Sequence, residues 1–248
     1  MFKARYFLPV WLIVFYGGAT SVAQTRRAQV VEGRRAVVCE ERLSVLRTRP
    51  EITAPLVQRL RRGRIVGVTG ATRSRDGLLF LRVTVTRRTR GWILGDAVVR
   101  SGQRTDAERL MELIETASDD FVKLKLARIC ADEFRGTEIA ARALFLMGET
   151  AERVAQQLTR LAQRRIKEEA RNRRIYLLND VGLDRCNRMG IGFRTDLEGD
   201  QLIYDGAAYR ELLRRYPRAP EANQAKEKLK KSVVPGGDEF NSRGHRPR

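Results

Sequence analysis

The groups in this 248-residue chain that could carry covalent or acid–base chemistry are few. They are three thiols (Cys39, Cys130, Cys186), one imidazole (His245) and two pairs of adjacent carboxylates, Glu40/Glu41 and Asp119/Asp120. A cysteine hydrolase needs a thiol beside an imidazole, and a serine triad needs the same imidazole. Zinc hydrolases draw on several histidines. His245 stands in Ser232–Arg248, a stretch with Pro235-Gly236-Gly237 and no apolar periodicity, expected to be a disordered tail (233–248). No Cys-x-x-Cys and no G-x-x-x-x-G-K-[ST] phosphate loop occurs. Glycoside hydrolysis by carboxylates alone remains chemically open, but it needs two groups facing one bond. Neighbours on a strand point to opposite sides, and Asp119/Asp120 stand where a helix start calls for a cap. The reading is a non-enzyme with no cofactor and no metal.

Binding groups are more plentiful. The chain carries 49 basic against 30 acidic residues, a formal charge of +19, and 41 of the basic residues are arginine. Such a charge attracts polyanions, whether nucleic acid, anionic lipid or acidic wall polymer. The basic residues are spread through every segment, which equally fits solvated faces. The densest row, Arg160, Arg164, Arg165, Lys167, Arg171, Arg173 and Arg174, could face nucleic acid or an anionic surface, but Glu168 and Glu169 interrupt it, which favours a solvated helix face and argues against a nucleic-acid partner. A more pointed set is Phe80, Arg82, Arg90 and Trp92. Phe80 and Arg82 alternate against Leu79, Leu81 and Val83 and could line a surface groove, while Trp92 could stack under a peptide or sugar. Arg47 and Arg90 could take carboxylates.

The elements that position these groups begin after a leader. Lys3 and Arg5 precede the apolar run Phe7–Tyr16, and Ser21-Val22-Ala23 fits a signal-peptidase site before Gln24. Residues 1–23 are therefore expected to be a signal peptide and 24–34 a linker. That implies export to the periplasm or cell envelope; an uncleaved anchor is the competing reading. The run is shorter than the roughly 20 residues that cross a bilayer, and no later stretch could do so. In an oxidising compartment three cysteines allow one internal bridge, with Cys130–Cys186 preferred because both lie in the helical half; three buried thiols are the alternative.

Residues 35–102 read as short strands separated by glycine and charged turns. The order Leu43-Ser44-Val45-Leu46-Arg47, Ala54-Pro55, Leu60-Arg61-Arg62-Gly63 and Gly91-Trp92 resembles the bacterial SH3-like (SH3b) family. It departs from that family at Val45-Leu46-Arg47, where Asn-Val-Arg is common, and in the extra polar residues Thr72–Asp76. The resemblance implies a small β-barrel that binds wall peptides or proteins, with Trp92 more a core-closing residue than a ligand floor.

Residues 103–232 read as helical. Thr105-x-x-Glu108 is a capping-box pattern, Ser118-Asp119-Asp120 starts a second helix broken near Gly136, and Thr137 starts a third through Met147. A long helix is expected from about Thr150, continuing to Leu178, and an irregular loop over Gly182–Gly199. Tyr209-x-x-Leu212-Leu213-x-x-Tyr216-Pro217-x-x-Pro220-x-Ala222-x-x-Ala225 resembles a tetratricopeptide-type (TPR) hairpin, and an offset of 82 residues finds Cys130, Ala131, Phe134, Ala140 and Ala143 at matching places. The expectation is thus a multidomain α+β protein, an SH3-like β-barrel followed by an all-α TPR-like helical-hairpin domain. It would act as a non-catalytic envelope adaptor that binds an envelope protein or a peptidoglycan peptide. The rival readings are a charge-driven polyanion binder and a carboxylate-dependent wall-glycan hydrolase.

Overall fold

The computed structural model describes residues 33–168, 173–196 and 198–232. The expected leader, most of the linker and the tail lie outside these residues.

Seven strands come first: β1 (Arg34–Val38), β2 (Val45–Arg47), β3 (Leu56–Arg59), β4 (Ile65–Arg73), β5 (Leu79–Thr84), β6 (Arg90–Leu94) and β7 (Val98–Arg100). They form one antiparallel sheet in the order β3-β2-β6-β5-β4-β1-β7. No ladder joins β3 to β7, so the pairing stays open and the closed barrel expected from the sequence is not seen. Inside the curl of the sheet sit Val38, Leu46, Leu60, Val66, Leu81, Val83 and Ile93, an alternating set as strand geometry requires.

The helices follow: α1 (Arg104–Thr116), α2 (Asp120–Glu133), α3 (Glu138–Glu168), α4 (Arg173–Leu178), α5 (Val181–Arg188), α6 (Ala207–Arg215) and α7 (Ala222–Ser232). Between α5 and α6 lies a hairpin of β8 (Phe193–Asp196) and β9 (Gln201–Tyr204). The loop expected over Gly182–Gly199 is therefore mostly α5 and β8. The two helices expected on either side of Gly148 are one, because glycine there serves a close approach rather than a break. A Cβ on Gly148 would lie 2.3 Å from the buried ring of Tyr209. The capping box is not used either: Gln103 precedes α1 without a side-chain cap. Asp119, by contrast, caps α2 by accepting from the N–H of Phe121 (2.7 Å) and Val122 (3.2 Å). The helices α2 and α6 end 82 residues apart, and the next residues, Phe134 and Tyr216, each donate a backbone N–H to the carbonyl four back. Tyr216 Oη accepts from Gly136 N (3.0 Å), tying the second hairpin to the first.

Sheet and helices share a core. Ala36, Val38 and Val98 point into the sheet's interior, while the alternate residues Val37, Cys39 and Val99 pack with Leu110, Ile114, Leu124 and Leu144 of the helices. Polar contacts line the same seam. Arg35 grips Glu133 at 2.6 Å, and Ser101 Oγ donates to the same carboxylate. Burial works to raise the Glu133 carboxyl, but the hydrogen bonds from Arg35 and Ser101 and the Arg35 charge outweigh it and hold it below the usual carboxylate range. The outer edge of β7 is closed by α1: Asp106 accepts from Arg100 N and Nε (both 2.9 Å), and Arg109 donates to Val98 O.

Two outcomes follow. Gly148→Ala should destabilise the fold by about 1–3 kcal/mol, since the fully buried Tyr209 ring has nowhere to move, and the thermal midpoint measures it. A carboxylate held below its unfolded value stabilises above that value and loses its contribution as pH falls through the native one. Glu133→Gln should therefore lower stability at pH 7 by about 1–3 kcal/mol and flatten the acid limb of a denaturation-against-pH series.

Candidate functional site

Strand register gathers most of the candidate binding residues on one face. Arg82 of β5 stands directly opposite Trp92 of β6, and Trp92 stands opposite Arg47 of β2. Residues directly opposite in an antiparallel pair share a face, about 5 Å apart. Continuing outward, Arg47 faces Leu56 of β3, and Arg82 faces Gly70 of β4, so the row runs Leu56–Arg47–Trp92–Arg82–Gly70. Arg90 lies two residues before Trp92 and shares its side. The opposite side carries Leu81, paired with Ile93, and belongs to the sheet interior.

The Gly91-Trp92 dipeptide now has a physical account. A Cβ at residue 91 would lie 2.6 Å from the Arg47 carbonyl, so only glycine lets β2 come up against β6. The next residue must then point outward. Trp92 is half-buried and stands outside the sheet's apolar core, between two arginines, rather than closing that core. Arg82 and Arg90 are exposed. Arg47 donates to Ala54 O at 2.7 Å and so fixes the loop 48–55 beside the face.

Phe80 is a correction. It shares the face of Arg82 by register but is only 1% exposed and offers nothing to a ligand. Its cross-strand neighbours are Thr72 and Leu94, and at this end of β5 both faces are covered. Sequence reasoning missed Leu56 and Val57 of β3, which are 54% and 42% exposed on a strand that has no strand partner on its outer side among the described residues. Two adjacent apolar residues in a strand run, with polar residues only on one flank, was the available signal.

The acidic candidates have structural work. Asp119 caps α2, and Asp120 takes Arg153 (2.9 Å) and Gln157 (3.1 Å). Glu40 accepts from Arg42 N (3.1 Å) and pairs with Arg62 at 3.9 Å. Glu40, Glu41 and Asp119 nevertheless line one cleft of about 930 Å³ between sheet and helices, together with Arg42, Arg59, Arg61 and Arg62. Of its three carboxylates, Glu41 is the one whose side chain neither caps a helix nor forms an ion pair among the described residues.

Cys39, Cys130 and Cys186 are free and buried, and the expected Cys130–Cys186 bridge is not formed; the thiols pack as small apolar groups. Burial pushes Cys39 and Cys186 up to about 11 and Cys130 up to about 12. Thiols that unfold regain a value near 9, so this contribution is fully present below that pH and is lost as pH rises through the native values. The denaturation midpoint of the wild type should fall between about pH 9 and pH 11, and that of Cys130→Ala should fall less steeply. Among the described residues, no group of three His, Cys, Asp or Glu is placed to hold a metal ion.

Comparison with family models, with curated proteins and with solved structures returns no match.

Proposed function

We propose that the chain is a non-catalytic binding protein of the cell envelope, its sheet taking a wall peptide or envelope protein and its helical half holding a second protein segment. The observation that carries this reading is the row Leu56–Arg47–Trp92–Arg82 running to the open edge of β3. An unpaired strand offers backbone groups to an extended ligand, an aromatic face offers stacking, and flanking arginines suit carboxylates. β7, at the opposite end, is sealed by Asp106 and Arg109, so the two edges are not equivalent.

The finer assignments belong to the same proposal. The SH3-like reading rests on the Leu43–Arg47 opening, the turn at Gly63 and the Gly91-Trp92 approach. The TPR-like reading rests on the paired ends of α2 and α6. Export rests on the residues before Gln24. Absence of catalysis is supported by the structural employment of Glu40, Asp119 and Asp120, which leaves Glu41 alone among the carboxylates of the two adjacent pairs, where glycan cleavage needs two. Two modest sites on one chain would tether their ligands by raising each other's effective concentration.

The test is co-sedimentation with purified cell-wall sacculi at low and high salt. Saturable binding that survives salt and weakens at least tenfold in Trp92→Ala and in Arg82→Ala is the expected result, in the range for an aromatic or arginine anchor. Binding lost with salt equally in all forms would replace the proposal with charge-driven polyanion binding. Release of soluble glycan that stops on Glu41→Gln would replace it with hydrolysis.

A further inference from the structure

The exposed large apolar side chains of the described residues fall into two groups. One comprises Leu56 and Val57 of the sheet edge above, with Leu43 just before β2 and Ile52 in the loop between β2 and β3. The other, Leu161, Ile175, Leu178 and Val181, lies on the helical half, and nothing so far accounts for it. These four are 44–74% exposed, although each lies one or two residues from a buried one: Ala162, Leu177 and Leu183 turn into the helical core. They are therefore the outward side of elements that already have an inward one.

They also lie together. The α4–α5 junction runs along α3: a Cβ on Gly182 would lie 2.7 Å from Leu158, and Asp180 pairs with Arg165 at 3.5 Å. Leu161 sits between those two points on the same helix face. Leu178 and Ile175 are three apart on α4, and Val181 opens α5. Around the apolar patch stand cations. Arg164 and Arg165 follow Leu161 by three and four residues, and Arg160 and Lys167 flank it; all four are exposed. Acids stand there too: Asp180, engaged by Arg165, Asp184 on α5, and Glu168, which ends α3 seven residues after Leu161.

We infer that this patch docks on an anionic lipid surface. Apolar side chains set among arginine and lysine are the pattern of a segment lying in the headgroup region, its apolar side entering the acyl boundary while the cations meet lipid phosphates. A second copy of the chain fits less well, because a twofold contact through this patch would bring Arg160, Arg164 and Lys167 of both copies against one another. No helix of the described residues is long and apolar enough to cross a membrane.

The test places a reporter at the patch itself, so that attachment elsewhere on the chain does not register. Leu178→Cys in the full chain is labelled with a polarity-sensitive dye; the three native thiols are buried, and a thermal midpoint equal to that of the wild type confirms folding. Vesicles of phosphatidylglycerol with phosphatidylethanolamine should shift the emission to the blue, and phosphatidylcholine vesicles should not. Adding Arg164→Gln should weaken the effect about fivefold, and Val181→Ser about tenfold or more. No shift with anionic vesicles, or an equal shift with both lipids, would overturn the inference. A shift without vesicles that grows with protein concentration would overturn it in favour of self-association.

Discussion

The rest of this structure depends on a ribbon of two strands that is buried on both sides. β1 and β7 send Ala36, Val38 and Val98 into the sheet and Val37, Cys39 and Val99 into the helices. A strand covered on both faces must be apolar throughout, and Ala36-Val37-Val38-Cys39 and Ala97-Val98-Val99 are so. Because the ribbon is also the sheet's edge, its outward backbone groups need partners, which α1 supplies through Asp106 and Arg109. Arg35 and Ser101 on Glu133 then fix how α2 lies across it. The seam thus joins strands that end before residue 102 to helices that begin after it.

Sealing one edge leaves the other to do something else. β3 keeps Leu56 and Val57 in solvent, next to a face on which Trp92 stands between arginines. The arrangement is held from below: Gly91 lets β2 approach, and Arg47 holds the adjoining loop through Ala54 O. Preorganised in this way, the face would lose little conformational freedom when a ligand arrives.

Much of this was legible in the residues. Alternation through Leu79–Val85 marked β5 and its inward side, Asp119 was identifiable as a cap, and Gly136 with a φ of 84° ended the α2 turn as a glycine in that region does. Local chemistry decides such features. What was not legible depended on distant partners. Gly148 looks like a helix end until Tyr209 is placed against it. Asp106 looks like a first-turn acid of α1, yet it is spent on Arg100. Phe80 alternates with an exposed arginine and would pass for a surface residue on period alone; its burial depends on what covers that end of the strand. The hairpin β8–β9 carries no alternation long enough to distinguish it from a loop. At the candidate site, Trp92 and Arg82 could be paired only once the register was known.

The two-sided ribbon also bears on the order in which the molecule can be built. A ribosome finishes the sheet at Arg100 before any of α1 to α3 exists. Until those helices emerge, Val37, Cys39 and Val99 form a naked apolar stripe along an unguarded strand, and at 5–20 residues per second that interval lasts several seconds. The nascent sheet must therefore either wait unfolded or be shielded by a chaperone, and the chain's N-terminal half matures on a schedule set by its C-terminal half.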